Sequence, residues 1–107
     1  MNVLFVCGKA RMRSPTAADL VRNWPGIHAD FAGLSNDADE QLSSEHIDWA
    51  DLIAVMETRQ KKRLTALFGP AVREKRVVVL SVPDRYDYGD PDLIARLEPI
   101  LRRILPS

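Results

Sequence analysis

Val3-Leu4-Phe5-Val6-Cys7-Gly8-Lys9-Ala10-Arg11-Met12-Arg13-Ser14-Pro15 runs an apolar tetrad into the only cysteine of the chain, then places three cations in the next six residues. The apolar, β-branched run Asn2 to Val6 reads as a strand buried on both faces. Ser14 to Val21 reads as a helix, with Ser14 as N-cap, Pro15 at the first helical position and Trp24-Pro25-Gly26 as the stop. The thiol therefore sits in a loop that joins a strand end to a helix N-terminus.

The same alternation continues outward. His28 to Gly33 reads as a second, weaker strand, and Ser35 to Leu42 as a polar turn region. Ser43/Ser44-Glu45-His46-Ile47 then opens a short helix. Asp51 to Met56 is a third strand, and Thr58 to Phe68 a basic amphipathic helix closed by Gly69-Pro70. Val77 to Val82 is the fourth strand. Asp90-Pro91 caps a last helix whose apolar positions, from Leu93 to Leu105, recur at helical spacing. Fully apolar strands alternating with helices imply an α/β fold, a three-layer sandwich with a four-stranded parallel sheet flanked by helices, whose sites lie at the carboxyl ends of the strands. Cys7 falls at one such end and Asp84 at another.

The chain has 107 residues, enough for one domain spanning 1–107 and one core. Its 15 basic residues balance 15 acidic ones, so global charge gives no argument for nucleic acid or a membrane surface as partner. The opening segment lacks the basic start and long apolar stretch of a leader, and no apolar run approaches the ~20 residues of a membrane span, so a cytoplasmic location is expected. A single cysteine forms no internal disulfide. No second thiol or histidine cluster completes a zinc site, so neither metal nor other cofactor is expected. His28 and His46 read as surface or packing residues, Trp24 and Trp49 as core anchors beside helix ends, and the run from Arg59 to Arg63 as a solvated helix face.

Cys7 and Arg13 are separated by five residues, and Ser14 follows. A loop of that length before a helix can curl its backbone N–H groups inward as an anion nest, aided by the helix dipole. Gly8, Lys9, Ala10, Arg11 and Met12 would form its wall, and Arg13 would supply a planar, two-pronged donor for two phosphate oxygens. Such a positive environment favours a thiolate. Ser14 would hydrogen-bond that thiolate while capping the helix.

The segment FVCGKARMRSPTA resembles the active-site loop of the low-molecular-weight protein tyrosine phosphatases, whose pattern is V-C-x-x-N-x-C-R-S-P. Phe31-Ala32-Gly33 is similar to that family's stretch after the second strand, Trp49 to Glu57 to its third-strand segment, and the last strand is again followed by an aspartate and tyrosines. The resemblance implies a four-stranded parallel sheet flanked by helices and a hydrolase acting on phosphotyrosine proteins or small aryl phosphates. Cys7 would be the nucleophile, Arg13 the phosphate clamp, and an aspartate the general acid. Asp84 ranks first for that role, ahead of Asp90, whose Asp-Pro pair reads as a helix cap, and Asp87. Tyr86 and Tyr88 would either wall the substrate slot or cover the sheet edge.

Three departures from the family pattern stand out. Ala10 replaces the asparagine that braces the loop, leaving the brace missing or supplied from elsewhere. Lys9 and Arg11 add charge, either as solvated surface cations or as contacts to an acidic substrate. Met12 replaces a second cysteine, so a protective disulfide at that site is unavailable. Two other activities fit the same cradle: an arsenate reductase dependent on external thiols, and a degenerate phosphatase that only binds phosphate or a phosphorylated partner.

Overall fold

Alternate residues of β1 (Asn2–Cys7) face opposite sides of the sheet, and in this computed structural model, which describes residues 1–106, each side has its own core. Val3 and Phe5 join Leu52 and Ala54 against α1 (Arg13–Val21) and α4 (Pro91–Ile104). Leu4 and Val6 join Ile53 and Val55 on the other side, beneath α2 (Ser44–Trp49) and α3 (Thr58–Arg73). β1 and β3 (Leu52–Val55) are thus apolar throughout because both faces are covered.

With β2 (His28–Gly33) and β4 (Arg76–Val79) the sheet has four parallel strands in the order β2-β1-β3-β4. The chain steps from β1 to one side for β2 and to the other for β3. The crevice where a ligand binds in such a sheet opens beyond the carboxyl ends of the strands at that reversal. Cys7 is the last residue of β1 and lies there.

Several expected boundaries move, each for a physical reason. The first helix begins at Arg13 with Met12 as N-cap, so Ser14 is inside the first turn and its hydroxyl is free for another partner. α3 does not end at Gly69-Pro70; it kinks at Phe68 (φ −129°, ψ 23°) and runs on to Arg73. Pro70 then occupies the opening turn of a new helical piece, where its missing N–H costs no hydrogen bond. The last strand stops at Val79, because Ser81 adopts a positive φ of 59° that breaks the pleat. Leu80 and Val82 nevertheless donate to the Val55 and Met56 carbonyls. Trp24 packs against the α1/α4 core with the Arg102 guanidinium 4.8 Å above its ring. Trp49, expected in the core, is instead exposed at the end of α2. His46 serves α2 as a cap, its Nδ1 accepting from the Ser43 N–H at 3.0 Å.

Candidate active site

A cavity of about 410 Å³ opens over the end of β1, lined by Cys7, Gly8, Met12 and Arg13. Lys9, Arg11, Ser35, Arg59 and Asp84 complete its lining. Cys7 is buried, and its Sγ lies 3.0 Å from Ser14 Oγ. The move of the helix start to Arg13 makes this contact possible, because a Ser14 engaged as N-cap would have spent its oxygen on the backbone.

The loop's backbone is satisfied on one side only. The carbonyls of Cys7, Gly8 and Lys9 accept from Leu34, Ser35 and Asp39 N–H at 3.0, 2.8 and 3.0 Å, and the Met12 carbonyl accepts from Thr16. Among the described residues, no protein acceptor takes a hydrogen bond from the N–H groups of Gly8 to Met12. Of these five residues only Ala10 is buried, and the other four line the cavity. Set beside the opening of α1, donors of this kind are suited to an anion.

Arg13 is 3% exposed, a costly place for a permanent cation unless it is paired. Its Nη1 donates to Glu57 Oε1 at 2.5 Å and to the Val82 carbonyl at 2.7 Å. Asp84 Oδ1 lies 3.8 Å from its Nε, while the Asp84 side chain remains largely exposed at the cavity rim. Glu57 also accepts from Arg59 Nε at 2.9 Å. The Arg59 hydrogen bond, followed by that of Arg13, holds the Glu57 carboxyl below its usual range. One carboxylate thus ties the buried arginine to a second arginine on the rim.

Lys9 and Arg11 are paired as well. Lys9 Nζ donates to Asp37 Oδ2 at 2.8 Å, and Arg11 Nε donates to Asp39 Oδ1 at 3.0 Å. The Lys9 and Ser35 hydrogen bonds lower the Asp37 pKa to about 2, and the Asp39 hydrogen bond raises that of Arg11.

The structure does not bring every sequence candidate to the cavity. Ala10 is buried behind the loop with φ 58°. Tyr86 packs against the α1/α4 core, and the Tyr88 hydroxyl donates to Asp19 beside a separate cavity formed with Thr16 and Gly89, so neither tyrosine walls the slot at Cys7. Of the three aspartates, Asp84 alone lines the cavity; Asp90 caps α4 by accepting from Asp92 N–H at 2.9 Å, and the Asp87 carbonyl accepts from Asp90 N–H. Ser35, Arg59, Glu57, Asp37 and Asp39 were not singled out by the sequence. A signal existed: Ser35 follows the end of β2, and Glu57 and Arg59 follow the end of β3, the ends where such a sheet gathers its site.

No protein-family model matches the chain, and no curated protein does. Solved structures do match over nearly its full length. The YwlE arginine phosphatase from Geobacillus stearothermophilus is 24% identical, covers 99% of this chain and 98% of its own, and superposes with a TM-score of 0.66. The tyrosine phosphatase Wzb from Escherichia coli K30, in complex with phosphate, is 20% identical over 95% and 94% of the two chains, with a TM-score of 0.78. SP-PTP, the low-molecular-weight protein tyrosine phosphatase from Streptococcus pyogenes, is 15% identical over 99% and 94%, with a TM-score of 0.76. The chain has the fold of these phosphatases.

Proposed function

We propose, from a fold shared with low-molecular-weight phosphatases, that this chain hydrolyses aryl phosphates, either phosphotyrosine in a protein or a small phosphomonoester, through a phosphocysteine. The observation that carries this reading is the row of unpaired N–H groups from Gly8 to Met12 beside the Cys7 thiol. A buried cysteine needs no such donors; a phosphoryl group in transfer, with charge spread over three oxygens, does.

In the first step the Cys7 sulfur, as thiolate with the Ser14 hydroxyl donating to it, attacks phosphorus in line and the bond to the phenolic oxygen breaks. The loop N–H groups and Arg13 hold the equatorial oxygens, and Asp84 gives its proton to the departing oxygen. In the second step Asp84, now a carboxylate, takes a proton from water as that water attacks phosphorus, releasing inorganic phosphate and the Cys7 thiolate. Arg13 suits the clamp because Glu57 and the Val82 carbonyl both hold Nη1, leaving Nη2 for substrate, with Nε 3.8 Å from Asp84.

Hydrolysis of para-nitrophenyl phosphate by the wild type and by Cys7→Ser tests the reading. Turnover lost in the variant supports it. A wild type that binds phosphate without turnover overturns it in favour of a phosphate-binding protein.

A further inference from the structure

Ala10 holds a backbone conformation that L-residues other than asparagine and aspartate rarely adopt, at φ 58° and 2% exposed. Something outside the residue must hold it there, since a lone non-glycine residue in that region relaxes when its surroundings allow. The contacts across the loop all come from one segment. Leu34, Ser35 and Asp39 donate backbone N–H groups to the carbonyls of Cys7, Gly8 and Lys9. Asp37 takes the Lys9 ammonium, Asp39 takes Arg11 Nε, and Arg11 Nη2 reaches the Asp37 carbonyl at 3.1 Å. The Ser35 hydroxyl in turn donates to Asp37. Lys9 and Arg11 flank Ala10 on either side, so the two ion pairs grip the loop immediately before and after its strained residue.

We propose that Asp37 and Asp39 are positioning residues, which hold Ala10 in its left-handed conformation through Lys9 and Arg11 and so keep the loop N–H groups aimed into the cavity. The inference rests on the phosphate-binding reading of that loop, and it gives Lys9 and Arg11 a structural task that their charge alone did not reveal. Each pair is exposed and weak alone. Two of them on either side of one dihedral pair, with three backbone hydrogen bonds from the same segment, act together.

The test compares Asp37→Asn/Asp39→Asn in two backgrounds, the wild-type chain and Ala10→Gly, because glycine adopts a positive φ without strain. Neutralising both aspartates in the wild-type chain lowers kcat/KM for para-nitrophenyl phosphate by roughly three- to tenfold and weakens inhibition by inorganic phosphate. In the Ala10→Gly background the same pair of changes has less than about half that effect on a logarithmic scale. Equal losses in both backgrounds overturn the proposal. So does tighter phosphate inhibition, which would mean that the aspartates only mask two cations from the substrate. Amide hydrogen exchange at Leu34, Ser35 and Asp39, whose N–H groups donate to the loop carbonyls, keeps the proposal testable if the wild type proves not to be an enzyme. Faster exchange after neutralisation supports the brace, and unchanged exchange overturns it whatever becomes of the phosphatase reading.

Discussion

Arg13 Nη1 donates to Glu57 Oε1 at 2.5 Å, joining the first residue of α1 to the residue that precedes α3. The pair spans the crevice at the carboxyl ends of β1 and β3, and the Val82 carbonyl closes it from the segment after β4. The orientation of the proposed phosphate clamp is thus fixed by two other parts of the chain.

Glu57→Gln keeps an acceptor for Arg13 and loses the charge, whereas Glu57→Ala leaves a buried guanidinium short of a partner. A charge-assisted hydrogen bond contributes roughly 1.5–3 kcal/mol, so Glu57→Ala is expected to lower kcat/KM for an aryl phosphate by about 10- to 100-fold. Glu57→Gln is expected to fall between that variant and the wild type. Steady-state kinetics check the ranking; equal activity in all three proteins would remove Glu57 from the site.

Asp37 supplies a pH signature. Its folded-state pKa lies at about 2, below the ordinary 3.8, because Lys9 and Ser35 hydrogen-bond the carboxylate. A group with a depressed folded pKa adds stability that is present above its unfolded pKa and lost as pH falls through the folded one. Thermal melts of the wild type should therefore drop more steeply between pH about 4 and about 2 than melts of Asp37→Asn. Parallel curves would deny Asp37 a part in acid stability.

Gly33 sits where β2 meets the loop. A Cβ there would come within 2.6 Å of Ala38 Cβ, 2.7 Å of the Gly8 carbonyl and 3.0 Å of Ala10 N. Gly33→Ala must push the loop away from its brace, since two of those three neighbours are backbone. Phosphate affinity, read by isothermal titration calorimetry, is expected to fall at least threefold even at temperatures where the variant remains folded. Unchanged affinity in a folded variant would show that the loop tolerates the displacement.

Asp84 and Asp90 separate by kind of effect. Asp84→Asn removes the proposed proton donor, with an expected loss of about 10²–10⁴ in kcat on phenyl phosphate. The loss should be smaller on para-nitrophenyl phosphate, whose leaving group needs less help. Asp90→Ala removes the cap of α4 and should cost about 1 kcal/mol of stability while sparing kcat. The reverse pattern, from paired chemical melts and initial rates, would reassign the acid.

The apolar runs of β1 and β3 made the parallel sheet legible, because strands covered on both faces carry no polar alternation to obscure them. Cys7, Arg13 and Asp84 were legible from spacing and strand ends, and all three line one cavity. Glu57, Asp37 and Asp39 were not, since each acts through a residue distant in sequence and nothing local marks a carboxylate as a partner. The tyrosines left two readings open, slot wall or sheet cover. Their position after the last strand is that of a slot wall, yet Tyr88 finds Asp19 and Tyr86 finds the core. The kink at Phe68 was hidden because Gly-Pro reads locally as a stop and only packing of Val72 into the α2/α3 core shows that the helix resumes.

The most direct test of the account is a search for the phosphocysteine itself. Asp84→Ala, deprived of the base that activates water, is mixed with para-nitrophenyl phosphate, quenched in acid and analysed by intact mass and peptide mapping. The account predicts one added phosphoryl group per chain, located on Cys7 and absent from the Cys7→Ala/Asp84→Ala chain. Rapid turnover by the wild type with no phosphoryl group on Cys7 in the quenched variant would contradict it.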